Sequence, residues 1–99
     1  MTWVHLYEED AGGREVYRPE DTKIPLSRRP RERIELRDDG TASVFMPGPD
    51  DRFVEQQASW TVQGDQTVIR TNDGRFQLVV VEESPSRLVV ERRRTADKG

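Results

Sequence analysis

Apolar and polar residues alternate with a period of two along most of this chain, in short runs separated by turn-forming residues. Residues 3–8 set Trp3, His5 and Tyr7 against Val4, Leu6 and Glu8, which predicts a first strand. Gly12-Gly13 breaks that run, and residues 14–18 predict a second strand, ended by Pro19. From residue 32 the alternation sharpens: Ile34 and Leu36 against Arg33, Glu35 and Arg37 describe a third strand with one wet face. Further strands are predicted over 41–46, 52–62, 66–70, 75–81 and 87–92. Asp38-Asp39-Gly40, Gly64-Asp65 and Asn72-Asp73-Gly74 supply the positive-φ positions that tight hairpins need. No segment carries helical periodicity over three turns, so little helix is expected.

Eight strands at roughly 8–12-residue spacing are the pattern of a sandwich or barrel. The connections are short, which favours pairing between sequential strands. Closure would remove the exposed edges that a small sheet must otherwise protect. The expected fold is therefore all-β: an eight-stranded antiparallel up-and-down meander closing into a small barrel over 1–93, with a polar tail at 94–99. The longest irregular stretch runs from Pro19 to Pro30, and loops of that length in compact domains are often functional.

Composition narrows the picture. The 99 residues are 32% hydrophobic and 35% charged, with seven aromatic rings to fill much of a modest core. Such a polar chain invites disorder, but a net charge of only −3 and periodic apolar positions argue for a folded domain. The absence of cysteine removes disulfides, thiol catalysis and thiolate metal sites. The first residues carry neither a basic n-region nor a long apolar stretch, so a cytoplasmic protein with no membrane association is expected.

A tryptophan in the first strand, successive hairpins, Asp-Gly turns and a last strand ending in arginine resemble the lipocalin-like, or calycin, barrels. In that family Gly-x-Trp opens strand one, and an arginine beyond the last strand packs over the tryptophan. The resemblance implies that Arg92 covers Trp3 here. Trp3-Val4-His5 with Glu8-Glu9-Asp10, Val16-Tyr17-Arg18-Pro19 and the Ser27-Arg28-Arg29 region are similar to uncharacterised small bacterial lipocalin-like proteins. Met1 stands where the family has Gly, the chain is far shorter than a true lipocalin, and no C-terminal helix follows. A barrel interior filled by side chains, with room for a small ligand at most, is the expectation.

Catalytic and metal chemistry find little support in the linear order. His5 is the only histidine, so histidine clusters are excluded, and a general-base role beside Glu8 is weighed against a structural one. Glu8-Glu9-Asp10, Asp38-Asp39 and Asp50-Asp51 lack calcium-loop spacing and read as solvated turn residues. Gly-x-Ser-x-Gly and phosphate-cradling glycine loops are missing. No enzyme, cofactor or metal site is expected, and the negative charge argues against nucleic acid.

Two features remain. The segment Ser27-Arg28-Arg29-Pro30-Arg31-Glu32-Arg33, with Arg18 near it in sequence, offers guanidinium forks for an anion or a solubilising charged loop. The last hairpin is apolar on both faces, with Val79, Val81 and Val89 opposite the presumed core positions. The leading expectation is a non-catalytic binding module taking a small apolar or anionic ligand at a mouth bordered by the 19–31 loop. Trp3, Tyr17, Phe45 and Trp60 would present rings, and Arg18, Arg28 or Arg29 would hold an anionic group. The alternative is an interaction or structural module without a small-molecule ligand, forming a homodimer through Val79, Val81 and Val89.

Overall fold

The computed structural model describes residues 2–26, 30–48 and 52–94. The strands are β1 (Thr2–His5), β2 (Arg14–Pro19), β3 (Arg33–Leu36), β4 (Thr41–Pro47), β5 (Phe53–Gln63), β6 (Gln66–Thr71), β7 (Phe76–Ser84) and β8 (Arg87–Arg94). All neighbouring pairs are antiparallel, and the sheet closes into a barrel in the order β1-β2-β8-β7-β6-β5-β4-β3. The eight-stranded antiparallel barrel expected from the alternation is therefore present. Strands β3 to β8 form the sequential meander. The hairpin β1-β2 sits between its two ends, with β1 on β3 and β2 on β8.

That arrangement gives the long 20–32 connection its purpose. Because β2 and β3 are not neighbours, the chain leaves Pro19 at one end of the barrel and passes β1 before entering β3 at the other end. The described part of the connection thus runs along the wall beside β1, and Pro30 and Glu32 reach a recess at the end where β3 begins. Val4 points outward from β1 yet is only 4% exposed, and Ile24, Pro25, Pro30 and Arg31 share a groove with it. Arg31 anchors the passage: its guanidinium donates to Glu8, to the His5 carbonyl and to the Pro25 carbonyl. The first strand also stops earlier than alternation predicts, since a 3-10 turn, Tyr7–Glu9, follows His5.

Inward positions of all eight strands fill the middle of the barrel. Trp3, Tyr17, Ile34, Ala42, Val44, Ala58, Ile69, Leu78, Val80, Leu88 and Val90 form one buried cluster. Small residues on β4 and β5 face large ones elsewhere, which lets a narrow barrel close without voids.

A bulge explains the doubly apolar run in the last hairpin. Val80 pairs with Val90 and Glu82 with Val89, so Val81 is the extra residue and side-chain parity inverts after it. Val79 and Val89 do point outward, but they are 3% and 5% exposed within the single chain. With Val16 and Val68 they make a buried outer stripe. The pairs Arg14–Glu91, Arg93–Glu91 and Arg87–Glu82 stand on the same outer face. Val81 is half-buried.

Candidate functional site

The two ends of the barrel differ in chemistry. At the end where β1 begins, Trp3, Leu36, Trp60 and Thr67 line a recess of about 250 Å³ rimmed by Arg37, Asp38 and Glu83. The hairpin turn between β3 and β4 builds this mouth. Gly40 takes φ +89, a conformation that side chains with a Cβ rarely adopt. Its carbonyl accepts the Trp60 backbone N–H at 2.9 Å, and the Arg37 carbonyl accepts the indole Nε1–H at 2.7 Å. Asp39 Oδ1 accepts from the Thr41 N–H at 3.0 Å and from its hydroxyl at 2.6 Å, closing the turn. Trp60 is thereby held half-buried by both its backbone and its ring. Glu83 reaches the rim because the bulge reverses parity beyond Val80.

The opposite end is charged. Arg92 donates through Nε and Nη2 to the two carboxylate oxygens of Glu15, each at 3.0 Å, and through Nη2 to Glu32 at 2.9 Å. Its guanidinium lies 4.9 Å from the centre of the Phe76 ring. Burial works against the Arg92 charge, but the hydrogen bonds to Glu15 and the charges of Glu32 and Glu15 outweigh it and hold the cation firmly protonated. Tyr17 donates its hydroxyl to Glu15 at 3.1 Å. Burial, followed by the carboxylates of Glu32 and Glu15, pushes the phenol well above its ordinary value, so it stays a donor.

His5 stacks on Tyr17 with ring centres 4.9 Å apart. Its Nε2 lies 2.9 Å from Asp10 Oδ2, and its Nδ1 lies 3.9 Å from Glu32 Oε1. Asp10 is itself fixed by the Val16 N–H at 2.9 Å. A recess of about 340 Å³, lined by His5, Tyr7, Pro30, Glu32 and Pro47, opens onto this cluster.

The residues expected to bind a ligand are distributed between these places. Trp3 and Trp60 share the first mouth. Tyr17 is fully buried beneath the charged end. Phe45 faces outward from β4 and lines a groove on the outer wall with Phe53 and Arg33, because β4 places Val44 and not Phe45 in the core. Arg18 is on the outside too, engaged by Glu9 and the Ser86 carbonyl. Arg28 and Arg29 lie outside the described residues, as do Ser27, Asp50, Asp51 and the tail beyond Arg94. Of the remaining arginines in the basic segment, Arg31 is paired with Glu8 and Arg33 with Glu20. Arg92 does not cover Trp3: it stacks on Phe76 at the other end, since Trp3 sits where β1 begins and Arg92 where β8 finishes.

The residues that linear reasoning missed are Glu15, Glu32 and Arg92 as a group. Each is a charged residue at a core-parity position at the end of a strand, sharing its face with Tyr17, Ile34 and Val90 respectively.

Fold and site together define a small closed antiparallel β-barrel with one aromatic mouth and one charged mouth. Comparison with known protein families, with curated proteins and with solved structures gives no match for this chain. Among the described residues no helix is long and apolar enough to cross a membrane.

Proposed function

We propose that the protein is a non-catalytic, lipocalin-like binding module that takes a small, largely apolar ring compound at the mouth formed by Trp3 and Trp60. The observation that carries this reading is the recess of about 250 Å³ between Trp3, Leu36, Trp60 and Thr67, rimmed by Arg37, Asp38 and Glu83. Apolar walls with a few polar groups at the rim are the usual make-up of a small-molecule site. The volume falls below the usual ~300–1,000 Å³ range for drug-sized ligands, so the ligand class is that of one or two fused rings. The anionic reading draws less support, because Arg18, Arg31 and Arg33 already have carboxylate partners.

The test is a thermal-shift panel of small aromatic and alicyclic compounds, read together with tryptophan fluorescence. A ligand that binds the folded state raises the apparent unfolding temperature. At least one ring compound is expected to do so while perturbing the emission, and Trp60→Ala is expected to abolish both responses. A panel without stabilisation, or a response that survives Trp60→Ala, refutes the assignment.

A further inference from the structure

We propose that the charged mouth is a binding site for a single divalent transition-metal ion of the zinc class, held by His5 Nδ1, Glu15 and Glu32. This is independent of the aromatic mouth, which lies at the other end of the barrel. The argument begins with the tautomer of His5. Asp10 is an acceptor, so the Nε2 atom 2.9 Å from it carries the proton in the neutral ring. The lone pair of that ring is then on Nδ1. A carboxylate on the far nitrogen is the arrangement that orients metal-binding histidines and raises their basicity.

Nδ1 faces the Glu32 carboxylate, and no hydrogen bond to it is formed among the described residues. Glu32 Oε1 stands 3.9 Å away, beyond hydrogen-bonding distance. One ligand atom from each of His5, Glu15 and Glu32 lies within 4.8 Å of the others. Tetrahedral zinc with bonds of about 2.1 Å places its ligands about 3.4 Å apart, so closure needs a shift of about 1 Å of the two carboxylates toward Nδ1, with Arg92 following them.

Charge points the same way. Glu15, Glu32 and Asp10 bring three negative charges to this end, and among the described residues Arg92 is the guanidinium that pairs with two of them. Asp10, Glu15, Glu32 and Arg92 together carry two uncompensated negative charges, the value a dication cancels. Arg92 takes both oxygens of Glu15, one of them shared with the Tyr17 hydroxyl, and one oxygen of Glu32, but a carboxylate has about four lone-pair positions, which leaves at least one on each for a metal. Arg92 and the Tyr17 hydroxyl then serve as the outer hydrogen bonds that orient the ligands.

The side chains of His5, Glu32 and Glu15 are 14%, 15% and 21% exposed, and the 340 Å³ recess lined by His5 and Glu32 gives an ion its access. An imidazole in the donor set favours zinc and its neighbours over magnesium or calcium, which prefer all-oxygen sites.

The experiment is a calorimetric and thermal-shift titration of the purified protein with zinc chloride, and with magnesium chloride in parallel. One zinc per chain and a raised unfolding temperature are expected, with no shift from magnesium. Glu32→Gln is expected to weaken zinc binding at least tenfold. So is His5→Phe, which keeps a ring stacked on Tyr17 and so preserves folding. The absence of zinc binding by the folded protein, an equal response to magnesium, or either folded variant binding zinc as the wild type does would overturn the proposal. Should His5→Phe fail to fold, Glu32→Gln decides it.

Discussion

Arg92 is the residue on which the charged end depends, and replacing it with methionine tests that dependence. Methionine keeps an unbranched stem against Phe76 while removing the cation. Glu15 and Glu32 then face one another with side chains 21% and 15% exposed and no guanidinium between them. Breaking a fully buried pair costs about 3–5 kcal/mol. Arg92 is 26% exposed, so solvent screens part of that repulsion, and a loss of about 2–3 kcal/mol follows. For a domain of this size the unfolding temperature should fall by about 8–24 °C. Arg93→Met is the matched control: its side chain is 56% exposed beside Glu91, a surface pair worth under about 1 kcal/mol.

Urea denaturation with an unchanged m-value measures both variants on one scale. Adding Glu15→Gln and Glu32→Gln to Arg92→Met should recover most of the loss, because the stranded charges disappear. If Arg92→Met lies within about 0.5 kcal/mol of Arg93→Met, the ordinary range for surface changes, the charged cluster does not stabilise the barrel as argued.

Two further outcomes can be checked alongside. The Arg31 guanidinium beside Glu8 lowers that carboxyl from 4.5 to about 2. A depressed carboxylate stabilises the fold above its unfolded value, so stability should decline as pH falls from about 4.5 toward 2, and Glu8→Gln should flatten that decline in acid unfolding curves. An equally steep decline in the variant would mean that other carboxylates govern acid unfolding. Gly40→Ala should cost about 1–2 kcal/mol in thermal melts, since alanine must adopt φ +89 to keep the contacts with Trp60. An unchanged melting temperature would show that the turn relaxes freely.

The turns and strand periods were legible because Asp38-Asp39-Gly40 and its counterparts impose local geometry that a single chain segment encodes. The neighbour of each strand was less so. Alternation in β1 says which residues face inward but not whether β2 or β3 lies on either side. The length of the 20–32 connection was the available clue, since a chain that must pass β1 needs more residues than a hairpin. The aromatic mouth was half legible: Trp3 and Trp60 were singled out, but Phe45 was assigned to it although Val44 takes the inward position.

The charged end was hidden for a physical reason. Its members come from β1, β2, β8 and the residue before β3, so no local spacing displays them. Glu15, Glu32 and Arg92 resemble ordinary solvated charges until closure of the sheet turns their shared parity into proximity. A search for charged residues at core parity near strand ends would have found them. Val80-Val81 carried a similar signal, since two adjacent apolar residues in an alternating strand mark a bulge as readily as a partner surface.

The placement of the first hairpin between β3 and β8 has a consequence for how the chain reaches its native state. Residues Arg14 and Glu91, which pair directly, are 77 positions apart. An isolated two-stranded hairpin is marginal in water, and β1 and β2 precede every strand they close against. β1 can pair with β3 once that strand is made, but the contacts of Val16 and Tyr17 on β2 with Val89 and Leu88 wait for β8. Until then β2 and β8 are open edges, the surfaces most prone to pairing with other chains. Long-range closure of this type is intrinsically slow. The barrel is thus a six-stranded ribbon completed by a separate clasp, and the interval before the clasp docks is the period of greatest aggregation hazard.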